Sequence, residues 1–273
     1  MQDTNMKISV VTPTFNQAHF IERTIDSLIN QKWDFEIEYI IMDWGSTDNT
    51  VKVLKKYDKV LKDKKYKHIT FIRKSEKDKG QSDAINKGLK VASWDILTYL
   101  NSDDTYEPGA LKRVVKALSS GKYQRSYGKC KIIDEHDKEI RKPITAYKNM
   151  LLKNWSYWKL LTENFISQMT VFWTKEAMEK VGLFNEKEHL CMDYDYRLKL
   201  GRYFKPTVIP HYIANFRFYQ TSKSGSYFFQ QFKDQLRLAK KYADGKYPIR
   251  IFIHSILYWR TIILYKLFHW IRW

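Results

Sequence analysis

Residues Trp94–Asp104 read WDILTYLNSDD. Ile96, Leu97, Tyr99 and Leu100 form a short, mostly apolar run of β type, which stops abruptly in Asn101, Ser102, Asp103 and Asp104. Such a run belongs in the middle of a sheet. The carboxylates cannot follow it inside unless they are paired or hold a cation. The strand end therefore belongs at the rim of a cleft with positive charge in front of it. A solvated turn is the competing reading, because Asn, Ser and Asp are common turn formers.

Recurrence of the same ending favours the cleft. Lys7–Thr12 (KISVVT) is a buried-type strand ended by Pro13, Glu36–Met42 (EIEYIIM) is a second, and His68–Arg73 is a third. Three of the four strands run into small or acidic polar residues, at Thr12–Asn16, Asp43–Asp48 and Asn101–Asp104. Between them, apolar residues at helical spacing predict helices over His19–Gln31, from Thr50 onward with Ser46 or Asp48 as cap, over Gly80–Ala92 and over Pro108–Leu118. This alternation predicts an α/β fold with a Rossmann-like, mostly parallel sheet flanked by helices. Ligands of such sheets bind outside the carboxyl ends of the strands.

The regular alternation stops after Ser119. Tyr127–Asp134 and Ser167–Trp173 read as strands, Ala146–Thr162 as an aromatic helix, Lys175–Val181 as a short helix, and Leu190–Leu200 as a helix carrying Asp193 and Asp195. Thr207–Ile209 and Ile213–Phe218 read as two short strands and Phe228–Tyr242 as a basic helix. The expected partition is a catalytic-type domain over residues 1–225, with halves 7–120 and 121–225, followed by a basic helical tail over 226–273.

With 273 residues, 44% of them hydrophobic and 29% charged, the chain has material for a sizeable core. Two cysteines, Cys130 and Cys191, are too few for a disulfide framework and suit a reducing compartment. The N-terminal residues read as neither a signal peptide nor a membrane span. The net charge is +18. Thirteen Lys/Arg against Asp234 and Asp244 put +11 of it after residue 200, which points to a polyanionic partner.

The segments SVVTPTFNQAHFIERTIDSLINQ, EYIIMDWGSTDNT and DKGQSDAINKGLKVASWDILTYLNSDD resemble the nucleotide-sugar-binding half of inverting family 2 glycosyltransferases of the GT-A type. GLFNE, CMDYDYRLKLG and NFRFYQTSKS resemble the acceptor-side half. The resemblance runs from about Lys7 to about Ser224. It implies an enzyme that moves a sugar from a nucleotide-diphospho-sugar, with UDP favoured, to a glycan or lipid-linked acceptor. Bacterial surface polysaccharide synthesis is the implied setting, on the cytoplasmic face of the cell membrane.

Residue roles follow the same resemblance. Asn101, Ser102 and Asp103 occupy the place of the family's DxD motif, with neutral Asn first. Asp103 and Asp104 are left as the contacts to Mn²⁺ or Mg²⁺, hard cations that suit oxygen ligands and offset charge on a departing diphosphate. Asp43 corresponds to the base-binding aspartate, with Thr12, Pro13 and Thr14 along the same base. Trp44 stands where the family usually has a small residue. Lys79, Asp83 and Asn86 correspond to ribose and donor-sugar contacts, although a plain helix face reads equally well for Lys79. Asp193 corresponds to the general base that takes the acceptor's proton, with Met192 where Glu is common. Asp195 then pairs with Arg197 or Lys199. Arg217 and Lys223 can clamp the diphosphate, and Tyr219 stands where similar proteins often carry His.

Ile249–Trp273 is dense in Ile, Leu, Phe, Tyr and Trp, with Arg250, Arg260, Lys266 and Arg272 interspersed. Its uncharged runs are far short of the ~20 residues of a span. It reads as an interfacial helix on an anionic membrane surface, each cation contributing on the order of 1 kcal/mol. The competing reading is a helix packed on the domain or on a second subunit. No nucleic-acid module of recognisable spacing is present, so no nucleic-acid partner is expected. The rival to the enzyme is a non-catalytic polyanion- or membrane-binding protein with a degenerate transferase site, which Asn101, Trp44, Met192 and Tyr219 keep open.

Overall fold

A computed structural model describes residues 7–32 and 35–270, the side chains of Ser224 and of residues 264–270 excepted. The strands are β1 (Ile8–Thr14), β2 (Ile37–Asp43), β3 (Ile69–Ser75), β4 (Ile96–Tyr99), β5 (Thr105–Tyr106), β6 (Arg125–Ile133), β7 (Phe172–Thr174) and β8 (Thr207–Arg217). Helices α1 (Ile21–Ile29), α2 (Thr50–Val60), α3 (Gln81–Val91) and α4 (Ala110–Leu118) accompany the first strands. They are followed by α5 (Lys142–Leu151), α6 (Tyr157–Thr162), α7 (Lys175–Val181), α8 (Met192–Tyr203), α9 (Lys223–Ser226), α10 (Phe228–Ala243) and α11 (Pro248–Trp270).

One sheet runs in the order β3-β2-β1-β4-β7-β6-β8-β5. β3, β2, β1 and β4 are parallel, and β6 is parallel to β8. β7 is antiparallel to both β4 and β6, and β5 is antiparallel to β8. β1 and β2, in the middle of the sheet, are buried at every position, which is why they show no alternation of apolar and polar residues. One core gathers α1, α2 and α4 through Ile25, Leu54 and Val114, and the other gathers α3, α6, α8 and α10 through Ile85, Leu160, Leu198 and Leu238. α3 lies so close to β1 that a Cβ on Gly88 would meet Val11 Cγ1 at 2.4 Å.

Several elements differ from the sequence reading for identifiable reasons. β1 continues through Pro13 to Thr14, paired with β2. Its pairing with β4 ends at Val11, so the donor that proline lacks falls where that neighbour has left the sheet. The expected helix Ala146–Thr162 is broken into α5 and α6, with Asn154 left-handed at φ 55 between them. Ser167–Trp173 is a 3₁₀ turn over Gln168–Thr170 running into β7. The two short strands after Thr207 are one, β8, with a bulge opposite Gly128 and Lys129. Pro210 is accommodated because β5 covers only Ala214 and Asn215 of the outer edge.

The basic helix α10 belongs to the body of the domain. Leu238 and Ala239 are fully buried in the core, and the Tyr242 hydroxyl donates to Asp195 at 2.8 Å. The expected boundary after residue 225 therefore falls within one packed unit. α11 lies on α6 and α10, with His254 and Ile262 buried. Among the described residues no helix is long and apolar enough to cross a membrane.

Candidate active site

The carboxyl ends of β1, β2 and β4 open on one side of the sheet, and their loops are latched together. Asn16, at φ 51, donates its backbone N–H to Ser46 Oγ, and its side-chain oxygen accepts from Thr47 N–H, both at 2.8 Å. Thr50 Oγ1 accepts from Gln17 N–H at 2.8 Å, and Asp48 accepts from Ala18 N–H at 3.1 Å and Thr50 N–H at 2.9 Å. The N-cap of α2 is Asn49, without a side-chain cap hydrogen bond, so neither expected cap, Ser46 or Asp48, fills that place, and Asp48 instead ties the loop after β1 to the start of α2.

Asp43 is fully buried at the end of β2. One carboxylate oxygen accepts from the Ser46 hydroxyl at 2.6 Å and the other from the Ser75 hydroxyl. Thr12, Pro13 and Thr14 are buried as well. The exposed residue at this strand end is Phe15, whose ring sits 5.0 Å from that of Trp44. Trp44 is pinned in turn by Nε1–H donation to the Asp78 carbonyl at 2.5 Å. The unexpected indole thus fixes the 76–80 segment over the ends of β2 and β3 and forms an aromatic pair with Phe15 there. Phe15 sits in the quoted TPTFNQ, and its place just past a buried strand was the available signal.

Asp103 and Asp104 occupy different environments. Asp103 is half-buried, and one of its oxygens accepts from the Tyr219 hydroxyl at 2.9 Å. Burial raises its pKa, partly offset by Tyr219, Arg217 and Lys223. Asp104 is 1% exposed. Its oxygens accept from Arg217 N–H at 2.9 Å and Asn101 Nδ2 at 3.2 Å, and burial, then the neighbouring Asp103 charge, pushes its pKa well up.

Arg217, expected at the diphosphate, is 0% exposed and points elsewhere. Nε donates to the Asp103 carbonyl at 2.8 Å, Nη1 to the Asp134 carbonyl at 2.6 Å and Nη2 to Asp137 at 2.5 Å. The guanidinium also lies 4.9 Å from the Phe20 ring. With every nitrogen engaged and no exposed surface, Arg217 braces the Asp103–Asp104 loop from behind instead of facing the cleft.

The α3 residues are also dispersed. Asp83 accepts from the Lys79 backbone N–H at 2.9 Å, and Lys87 lies 3.5 Å away. Asn86 is buried and holds the Phe184 backbone in both directions, at 2.9 and 3.0 Å. The two therefore do not converge on one ligand position, and the Lys79 side chain is exposed. The residue of α3 that does reach the site is Gln81. It donates to Asn101 Oδ1 at 2.8 Å and accepts from Lys223 Nζ at 2.6 Å. Gln168 closes the same network by donating to the Tyr99 carbonyl at 2.6 Å, with Asn101 donating to it at 3.4 Å. These two glutamines carried no sequence signal, because amides far apart in the chain read as ordinary polar positions.

Across the cleft, Asp193 sits in the first turn of α8, where the helix dipole favours a carboxylate. Its side chain is 25% exposed and accepts from Arg197 Nη2 at 2.8 Å. Arg197 is buried and also donates to Asn164 at 2.8 Å. Asp195 is fully buried between Tyr242 and Lys199, the latter at 3.2 Å. Of its two expected partners, Lys199 is the one it meets. Met192 is buried and accepts the Ser82 hydroxyl at 2.8 Å, which docks the start of α8 on α3. A glutamate at that apolar position would be costly to bury.

Two residues tie the halves together electrostatically. Lys223 feels both Asp103 and Asp193, and the buried Tyr99 hydroxyl feels both Asp193 and Asp104. The Phe15–Trp44 ring pair and Asp103 thus stand at the strand ends, and Asp193 at the start of α8.

A family comparison fits this geometry. The profile of glycosyl transferase family 2 matches residues 9–182, well over half of the chain. The chain belongs to that family. Its similarity to the GalNAc(5)-diNAcBac-PP-undecaprenol beta-1,3-glucosyltransferase of Campylobacter jejuni is 29% identity over 198 residues, covering 64% of this chain and 60% of the relative. The chain spans about 40% to 60% of the length of its curated relatives from Nostoc, Mycoplasma genitalium and Campylobacter. Among solved structures, TarS of S. aureus in complex with UDP-GlcNAc superposes with TM-score 0.65 at 17% identity, over 85% of this chain and 66% of that one. The Pyrobaculum calidifontis mannosyltransferase in complex with GDP-Man and Mn²⁺ also gives TM-score 0.65 at 17% identity, over 92% and 74%. At these identities the superpositions establish the GT-A type fold of this family 2 member.

Proposed function

We propose that this glycosyltransferase inverts the anomeric centre of a nucleotide-diphospho-sugar, with UDP favoured, and delivers the sugar to a hydroxyl of a glycan or lipid-linked acceptor. The observation that carries the reading is the family match over residues 9–182, and the partly exposed carboxylates Asp103 and Asp193, whose charges both act on Lys223, are the groups it offers for the chemistry. The Campylobacter relative named for an undecaprenol-linked acceptor supports the acceptor class. The UDP-GlcNAc complex of TarS supports the donor class. In this reading the base lies against the Phe15–Trp44 pair at the ends of β1 and β2, with Asp43 behind it, held by Ser46 and Ser75. Bacterial surface polysaccharide synthesis, with the enzyme peripheral on the inner face of the cell membrane, is the setting that fits such an acceptor.

Among the described residues no three His, Cys, Asp or Glu side chains form a metal cluster. The donor set fits Mg²⁺ or Mn²⁺ held by one or two carboxylates together with substrate phosphates. Asp103 is partly exposed and has an oxygen that accepts no hydrogen bond from another residue, which leaves it free to meet a cation. Both oxygens of Asp104 are engaged, which makes it the support of that loop. When bound, the cation supplies charge neutralisation to the leaving diphosphate. Tyr219 orients Asp103, Arg217 fixes its backbone, and Gln81 sets Lys223 at the cleft. Asp193, held by Arg197, takes the proton from the attacking hydroxyl.

A panel of nucleotide-sugars assayed for hydrolysis with Mn²⁺ and with Mg²⁺ tests this. Metal-dependent release of one nucleoside diphosphate, lost in Asp103→Ala, is the expected result. No release from any donor, and no thermal stabilisation by any nucleotide, would return the protein to the non-catalytic binding class.

A further inference from the structure

The face of α11 that the domain leaves uncovered has a regular composition. Ile249, Phe252, Ile256, Trp259 and Ile263 are 71%, 66%, 51%, 59% and 54% exposed. They follow one another at alternating steps of three and four. At about 100° per residue they fall within roughly 80° of the helix circumference. The opposite face is fixed to the catalytic body. Ile262 and His254 are buried, and the His254 ring meets the Leu161 carbonyl of α6 at 2.7 Å. Arg260 lies 3.7 Å from Glu163, just past α6. An uncovered apolar stripe on a helix whose other side is already seated is a docking surface.

Charge selects the occupant. Lys233, Arg237, Lys240, Lys241, Lys246, Arg250 and Arg260 on α10, α11 and their connection are exposed, against Asp234 and Asp244. A second copy of this chain would set two such cationic surfaces against each other. An anionic bilayer would accept the stripe among its acyl chains and the cations among its headgroups, with Trp259 at the interface. We infer that α11 lies in the surface of an anionic membrane by the Ile249–Phe252–Ile256–Trp259–Ile263 face while its buried face remains on α6. This deepens the transferase reading, on which it rests for the acceptor class. The membrane would be held on the acceptor side of the cleft, because the chain leaving α6 reaches Asn164, which holds Arg197 and through it Asp193.

The double variant F252S/W259S removes two exposed rings and leaves the buried face intact, whereas truncating the tail would also strip packing from α6. The test is co-flotation of the full chain with vesicles of mixed phosphatidylglycerol and phosphatidylcholine at low salt. Wild type should float and be released by high salt. F252S/W259S should bind at least about tenfold more weakly, with unchanged melting temperature and unchanged UDP binding. The charge variant K246E/R250E should also bind more weakly. Wild type that ignores these vesicles, or F252S/W259S that floats as well as wild type, would overturn the proposal. So would a stable wild-type dimer, without vesicle binding, that F252S/W259S dissolves, which would give the face to a second copy. Vesicle binding without any nucleotide response would instead count against the transferase reading and leave this one standing.

Discussion

Each half of the cleft carries two aspartates close together in the chain, and the halves use them in parallel ways. At the end of β4, Asp103 stands at the rim with one oxygen on Tyr219, while Asp104 is buried on Arg217 N–H and Asn101. At the start of α8, Asp193 is partly exposed on Arg197, while Asp195 is buried on Tyr242 and Lys199. In both, one carboxylate is available for chemistry and its neighbour is committed to structure. The difference lies in the supports. The Asp103 loop is braced by an arginine from β8, far away in sequence, with all its donors engaged. Asp193 is held by an arginine one helical turn along its own helix. In the proposed roles, a site that receives a cation and a diphosphate needs its backbone fixed from outside. A base that must give and take a proton needs only its side chain oriented.

Substitutions can break this comparison, and the largest expected effect is at the base. Asp193→Asn should lower kcat by about 10²–10⁴-fold with donor KM nearly unchanged, checked by steady-state kinetics. Next is the brace. Arg217→Ala leaves the Asp103 carbonyl without its donor and a cavity where a fully buried side chain packs on Phe20, and should cost about 3 kcal/mol of stability, read by chemical denaturation. Arg197→Ala, by contrast, should reduce turnover through Asp193 with less effect on nucleotide binding. The smallest effect is a pH dependence at the α11 seat. Burial lowers the His254 pKa, partly offset by its bond to Leu161, so the folded state binds fewer protons there than the unfolded chain. Stability from this group is complete above the unfolded value of about 6.5 and falls as pH drops through it toward the folded value. Thermal melts from neutral to acid pH should show this decline in wild type, reduced in His254→Gln.

The donor half was the more legible. Its central strands β1 and β2 are buried at every position, so they read as continuous runs without alternation, and their polar endings marked the cleft without tertiary information. Asp193 was expected from its motif, and its partly exposed place in the first turn of α8 suits the proposed base. What stayed hidden depends on contacts made across the fold. Arg217 has the residue type of a diphosphate clamp, and only burial against Phe20 and the Asp134–Asp137 turn reveals a brace. Gln81 and Gln168 acquire meaning only when Asn101 lies between them. The break at Asn154 is set by a single left-handed residue. The joining of two short strands into β8 depends on a bulge against β6, which no local pattern records. For the tail, composition suggested a lipid surface or a packed helix; the structure seats one face on α6 and α10, and the lipid surface is the proposal for the other.

The division of labour between the two exposed aspartates is tested most directly by titrating UDP into wild type, Asp103→Asn and Asp193→Asn, with and without Mn²⁺, by calorimetry. The account predicts that Mn²⁺ strengthens UDP binding in wild type and in Asp193→Asn alike, and that this gain disappears in Asp103→Asn. A metal-dependent gain that survives in Asp103→Asn, or one that is lost in Asp193→Asn, would contradict it.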